Sequence, residues 1–434
     1  MESLMKSLYV GIDIGTSGCR VFIIDEDEQV VTHSSAPLPS SVFRNNHTIQ
    51  SPIDWWECCQ QVLTEALSNV DKSQIKALTI DGTSGTVLLT NSDGGVLSDA
   101  YMYNDNSNNE QSLLIKQFAP KENGAHGSSS GLAKCLSLVS KYGNNESSVC
   151  LNQADWIAGN FLNRYNFSDE NNALKMGYDV IHRVWPKWIN KVINPKYLPQ
   201  NIYQPGKVIG QICDTIATHF GLPQTVKIVA GTTDSIAAFI ATGASNIGDA
   251  VTSLGSTLAI KLISTKPVYA PEYGVYSHRL GDMWLAGGAS NSGGAVLKKI
   301  FDQKQLDSMT NLLNPKKLTG LDYYPLLKKG ERFPINDSEL EPKLAPRPKN
   351  DVEFFQGILE GIARIERQAY SRLEEFGAGY PKRIISMGSG SKNIPWRVIR
   401  EQYCGVNIST SSNSEAAYGS ALLAKQSLAC SIRQ

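Results

Sequence analysis

The stretch that constrains this chain most is Tyr9 to Asp25. An apolar strand, Tyr9-Val10-Gly11-Ile12-Asp13-Ile14, runs into Gly15-Thr16-Ser17-Gly18 and then into a second apolar strand from Cys19 to Asp25. So short a turn makes the two strands a hairpin whose tip consists of backbone amides and two hydroxyls. Successive N–H groups at such a tip form a concavity suited to phosphate, and glycine lets the backbone come close to the anion. Asp13 adds the negative charge that a phosphate-escorting Mg²⁺ requires. The stretch reads as a nucleotide-phosphate grip; taken alone, it also fits an ordinary hairpin. No Gly-x-x-x-x-Gly-Lys-Ser/Thr occurs, which excludes a P-loop. Gly388-Ser389-Gly390-Ser391-Lys392-Asn393 lacks the third glycine of a dinucleotide fingerprint.

With 434 residues the chain exceeds one ordinary core, and two domains are expected. Lysine plus arginine and aspartate plus glutamate both number 41, so no net field favours nucleic acid or an anionic membrane. Cys19, Cys58, Cys59, Cys135, Cys150, Cys213, Cys404 and Cys430 show no Cys-x-x-Cys spacing. They read as buried small hydrophobes in a reducing compartment, neither a disulfide framework nor a zinc site. No apolar run approaches the ~18 residues of a membrane span, and no secretory signal precedes the first strand. The expectation is a soluble intracellular protein, cytoplasmic or in an organelle (chloroplast) matrix, acting as monomer or homodimer without nucleic-acid or membrane partners.

Strands are expected at about 8–14, 19–25 and 29–34, then a helix from Pro52 to about Val70 opened by Ser51 as cap. A strand ending at Asp81 and another at Thr86–Leu89 follow, with helices near 106–118, 132–141 and 153–163. The second half repeats the opening. Asp249 to Ile263 again reads strand, Gly255-Ser256-Thr257 turn, strand, followed by α/β alternation, a strand at Arg383–Met387 and a last helix from Glu415. The proline- and lysine-rich stretch from Asn314 to Asn350 reads as loop. Two halves of one pattern imply a duplicated α/β domain with a cleft between copies.

Asp13–Thr16, Gly231-Thr232-Thr233-Asp234, Ser253–Thr257 and Gly388–Asn393 occur in an order and spacing that resemble the FGGY carbohydrate kinases of the actin/hexokinase-like superfamily. Subsidiary matches are Gln50-Ser51-Pro52 with Trp55-Trp56, Tyr103-Asn104-Asp105, Ser168 to Asp179, and Gly330-Glu331-Arg332. The chain is shorter than most members and looks most like the compact ketopentose (ribulose or xylulose) kinases of plants and cyanobacteria. The resemblance implies two ribonuclease-H-like domains, residues 1–241 on the sugar and phosphate side and 242–434 on the adenine-nucleotide side. It also implies ATP and Mg²⁺ as cofactors and a small sugar as partner.

Phosphoryl transfer asks for positioning and charge neutralisation. Asp13 is the expected Mg²⁺ holder, through water. Gly15, Thr16 and Ser17, with Gly255, Ser256 and Thr257 from the other half, are expected at the phosphates; Gly388, Ser389, Gly390 and Asn393 are expected at adenosine. Asp234, opening a helix after an apolar strand, is the expected general base toward a sugar hydroxyl, although an aspartate there also suits a helix N-cap. Asp81-Gly82-Thr83-Ser84-Gly85 replaces the Met-His-Gly of many xylulose kinases and the Arg-Glu of glycerol kinases, which turns the reading away from glycerol; the resemblance implies a ketopentose, D-ribulose first and D-xylulose next. Ser84, Asp13, Asp234 and Asp105 are the expected sugar contacts, with Tyr103 and Lys134 behind them. A Ser84 hydroxyl turned onto its own backbone is the plain alternative. Gly127-Ser128-Ser129-Ser130-Gly131 matches a hydrolase pattern but follows no strand. The competing functional reading is a nucleotide-binding sensor or weak ATPase that kept the fold; an ATPase switch of the actin type ranks last.

Overall fold

β1 (Leu8–Ile14) and β2 (Gly18–Ile24) pair antiparallel from Tyr9↔Ile24 to Ile14↔Cys19 in a computed structural model that describes residues 6–143 and 147–429. β3 (Val30–Pro37) continues the meander. Ser51 and Pro52 then open α1 (Pro52–Leu67), whose fully buried Trp55 donates its indole N–H to Gln50 Oε1 at 2.8 Å. β4 (Ile75–Gly82) returns parallel to β1. α2 (Gly131–Tyr142), capped by Ser130, packs its apolar face on a separate five-stranded sheet that contains Val87–Thr90 and Val149–Asn152. β5 (Val208–Gln211) and β6 (Lys227–Thr233) complete the main sheet, in the order β5-β6-β4-β1-β2-β3, and α3 (Asp234–Ala241) leaves β6 without an intervening loop.

The second unit, Thr242–Ser414, repeats the plan. β7 (Asp249–Leu254) and β8 (Leu258–Ser264) form the second hairpin; β9 (Tyr276–Leu280) and β10 (Met283–Ser290) extend it antiparallel. α4 (Gly294–Ile300), α5 (Gln303–Thr310) and the long α6 (Asp351–Glu375) precede β11 (Arg383–Met387). α7 (Ile394–Cys404) and β12 (Ile408–Thr410) follow, and the sheet order is β9-β10-β8-β7-β11-β12. In both sheets the first hairpin strand (β1 or β7) has an antiparallel neighbour on one side and a parallel one on the other. The stretch from Asn314 to Asn350 is loop, with isolated bridges such as Tyr324↔Lys343 and Glu331↔Asp337.

Two expectations are corrected. The sequence pattern assigned everything after residue 241 to one domain, but α8 (Ala416–Ala429) belongs to the first unit. Its small residues explain the placement: a Cβ on Gly419 would lie 1.9 Å from the Ala237 carbonyl oxygen, and one on Gly11 would lie 1.9 Å from that of Ala417. Such backbone-to-backbone approach is possible only for glycine. Replacing Gly419 by alanine is therefore expected to cost about 2–3 kcal/mol, read as a lower urea midpoint. Second, Cys135 and Cys150, expected as separate thiols, are joined as a disulfide with Cα atoms 6.0 Å apart. α2 lies over the strand that carries Cys150, a proximity no linear spacing shows. Cys19, Cys58, Cys59, Cys213 and Cys404 are free, and Cys430 lies outside the described residues. Among the described residues, no helix is long and apolar enough to cross a membrane.

Candidate functional site

Parallel pairing sets the centre of the first unit. Asp13 on β1 stands in register with Asp81 on β4, and Asp81 in register with Thr232 on β6, two residues before Asp234 opens α3. Three carboxylates thus gather at the ends of adjacent strands. Asp13 is 5 % exposed and Asp81 wholly buried. Asp13 Oδ2 accepts from Arg20 Nη1 at 3.1 Å, and Asp81 Oδ2 accepts from Ser420 Oγ of α8 at 2.6 Å. The Oδ1 atoms of both are buried with no hydrogen-bond donor among the described residues. Burial raises both carboxyls above the usual carboxylate range, and the charges of Asp13 and Asp234 push Asp81 further. Asp234 is half-buried, and its Oδ1 accepts from the Ser235 amide at 2.6 Å.

At the hairpin tip the Gly15 amide donates to the Gly18 carbonyl at 3.0 Å. Gln50 Nε2 holds the Thr16 carbonyl at 3.1 Å and the Leu38 amide holds that of Ser17 at 3.0 Å, so the tip is fixed from behind. Thr16 is half-buried and Ser17 exposed.

Beyond Asp81 the loop is locked on both sides of Ser84. Thr83 donates its amide and its hydroxyl to Gln153 Oε1 at 3.0 and 2.7 Å, and Thr86 Oγ1 accepts from the Tyr103 amide at 2.9 Å. Ser84 Oγ is buried without a partner among the described residues, so the self-bonded alternative does not hold. Asp105, expected as a sugar contact, is turned into its own loop. It accepts from the Thr48 amide (3.0 Å), Ser107 Oγ (3.0 Å) and Asn108 Nδ2 (2.8 Å), and meets His47 Nδ1 at 3.2 Å. With 1 % exposure and both oxygens engaged, it organises the loop rather than facing solvent. Tyr103 is exposed, whereas Lys134 is fully buried.

In the second unit, Gly255, Ser389, Gly390 and Asn393 border one cavity of about 410 Å³, whose wall also includes Asp307 and Trp396. Gly388 stands behind it with φ +85°, where a Cβ would lie 2.8 Å from the Leu254 carbonyl oxygen. Asn393 caps α7 through the Trp396 amide at 2.9 Å. Ser256 and Thr257 form the exposed hairpin tip, and the Gly294 and Ala295 amides of α4 donate to Gly255 and Ser256 carbonyls at 2.9 and 3.1 Å.

Two neighbours of the expected residues were not themselves expected there. Asp81 carried the signal that picked out Asp13, an aspartate at the end of an apolar strand, but the hydroxyls that follow it masked that signal. α5, with Gln303 donating to Asp307 at 2.8 Å, follows a short polar stretch without strong periodicity.

Comparison with known proteins adds a family to this geometry. Residues 8–128 match the N-terminal domain of the FGGY family of carbohydrate kinases and residues 250–427 its C-terminal domain. A xylulose kinase of Staphylococcus epidermidis is 20% identical over 98% of this chain and 89% of its own. The crystal structure of a xylulose kinase from Brucella ovis superimposes with a TM-score of 0.86 at 21% identity, covering 98% of this chain and 91% of that one. The gluconate kinase of Lactobacillus acidophilus gives 0.84 at 20% identity, covering 98% and 90%. The shared fold therefore spans relatives named for different sugars.

Proposed function

This chain belongs to the FGGY family of carbohydrate kinases, ATP-dependent enzymes that phosphorylate sugars, and we propose that its acceptor is a ketopentose, D-ribulose first and D-xylulose next. The observation that carries the reading is the gathering of Asp13, Asp81 and Asp234 at the ends of adjacent strands, with the unpartnered Ser84 hydroxyl three residues after Asp81. These groups favour a polyol, whose hydroxyls donate to carboxylates and to Ser84. The relatives named xylulose kinase support the ketopentose class, and the Asp81–Gly85 run, which carries neither Met-His-Gly nor Arg-Glu, turns the choice away from glycerol.

In this reading Asp234 takes the proton from the attacking hydroxyl as its oxygen meets the γ-phosphorus. In the first unit Gly15, Thr16 and Ser17 offer amides and hydroxyls suited to phosphate; the hairpin tip of the second unit, Gly255, Ser256 and Thr257, has the same character by itself. The cavity bordered by Ser389, Gly390 and Asn393 takes the adenosine end, with Gly388 shaping its loop. The two orphaned, buried oxygens of Asp13 and Asp81 fit a hard divalent cation, so these two side chains would hold Mg²⁺, Asp13 through water. Mg²⁺ would supply neutralisation of phosphate charge.

ADP release from Mg-ATP, measured against D-ribulose, D-xylulose, L-ribulose, L-xylulose, gluconate, glycerol and no sugar, tests the reading. A dominant response to D-ribulose is expected; release indifferent to every sugar would replace it with the sensor or weak ATPase. Asp13→Asn is expected to raise the Mg²⁺ concentration for half-maximal turnover by about 10- to 100-fold. An unchanged Mg²⁺ titration would remove Asp13 from that role.

A further inference from the structure

Lys134 has no exposed surface, and the described residues give its ammonium no ion pair. Nζ instead donates to two backbone carbonyls, Gly85 O at 2.7 Å and Tyr103 O at 3.2 Å. These carbonyls belong to different loops: one follows Ser84 directly, and the other lies two residues before Asp105. The loops are already joined once, where Thr86 Oγ1 accepts from the Tyr103 amide. Lys134 joins them a second time from beneath, at a glycine whose φ of +79° sets its carbonyl direction. Burying an ammonium is costly unless its hydrogen bonds require that position. Burial also pulls its pKa down to about 7, partly opposed by the charge of Asp105.

We propose that Lys134 is a positioning residue for the sugar: by holding the Gly85 and Tyr103 carbonyls together, it keeps the Ser84 hydroxyl in the one arrangement that can meet substrate. With its ammonium engaged by two backbone carbonyls, it serves the site by holding the loops and not as the sugar contact the sequence suggested. Ser84 stands between two pins, the Gln153 bonds to Thr83 and the Lys134 bond to Gly85, and its own hydroxyl is left unpartnered. The proposal rests on reading Ser84 as a sugar contact.

The test compares Lys134→Met, Ser84→Ala and the parent enzyme in D-ribulose and D-xylulose titrations at saturating Mg-ATP, and in ATP titrations at saturating sugar. Amide hydrogen exchange is followed over residues 83–86 and 103–108. For Lys134→Met the sugar KM is expected to rise about tenfold, with kcat and the ATP KM within about twofold and faster exchange confined to the two loops. An unchanged sugar KM overturns the proposal. So does a joint fall of kcat, both affinities and the unfolding midpoint, the signature of a purely structural lysine. A Ser84→Ala variant with normal sugar KM means that the sugar-contact reading has failed and the proposal falls with it. Normal behaviour of Lys134→Met beside a defective Ser84→Ala rejects Lys134 alone. Should Lys134→Met not fold, Lys134→Gln, which keeps one donor group, takes its place, and the same results support or overturn the proposal.

Discussion

Asp234→Asn is expected to cut sugar-dependent turnover about a thousandfold while leaving the ATP KM within about twofold, because a positioned general base contributes about 10²- to 10⁴-fold. Asparagine is the informative substitution. Asp234 also accepts from the Ser235 amide at the start of α3, so alanine would remove a cap and a base together. The asparagine oxygen can still accept that N–H but takes no proton from a hydroxyl. A variant that folds with an unchanged midpoint, binds nucleotide and turns over poorly isolates the chemistry from the cap. Turnover within tenfold of the parent would assign Asp234 to capping alone. The second unit supplies an internal control, since the cavity bordered by Gly255, Ser389, Gly390 and Asn393 contains no part of α3.

What could be read from the sequence was local. Both hairpins were legible because each consists of two apolar strands flanking a small-residue turn, and the observed β1–β2 and β7–β8 pairs fall within a residue of the expected bounds. The strand at Arg383–Met387 and the glycine-rich turn after it were legible for the same reason. Ser84 was singled out because it sits in a run of short polar residues at a strand end, and its hydroxyl is left without a partner among the described residues. The features missed depend on which elements become neighbours across long stretches of chain. Asp81 stands beside Asp13 because β4 lies in register with β1, sixty-odd residues away in sequence. Asp105 was read as a sugar contact because the sequence does not show that Thr48 and Asn108 converge on its two oxygens in the fold. The return of α8 to the first unit depends on Gly11 and Gly419, neither of which sits in a turn that would single out a glycine.

Arg400 is the clearest case of such a hidden dependence, and its removal is expected to be the costliest change to the second unit. Its guanidinium grips Glu366 with both forks, Nε to Oε2 and Nη2 to Oε1 at 2.6 Å each, and its Nη1 donates to Ser386 Oγ at 2.7 Å. Glu366 Oε1 also accepts from Thr252 Oγ1, which in turn lies 2.8 Å from the Tyr370 hydroxyl. Arg400 and Glu366 are almost completely buried, so replacing Arg400 by methionine strands a carboxylate in the core of α6, β7 and β11. The expected loss is about 3–5 kcal/mol, measured by denaturant unfolding. Lysine should restore only part of it, since one ammonium cannot reproduce the planar fork. The double variant Glu366→Met with Arg400→Met should recover most of the loss, because two apolar side chains of similar volume often match a buried ion pair. A double-mutant cycle with no coupling would show instead that each side chain acts through separate contacts. Ser386 lies two residues before Gly388, and Thr252 is its register partner on β7. If the loop from Gly388 takes nucleotide as proposed, even a stable double variant should bind ATP less tightly, because the Ser386 hydroxyl two residues before it loses its donor. Recovered stability with an unchanged ATP KM would confine the network to holding the sheet.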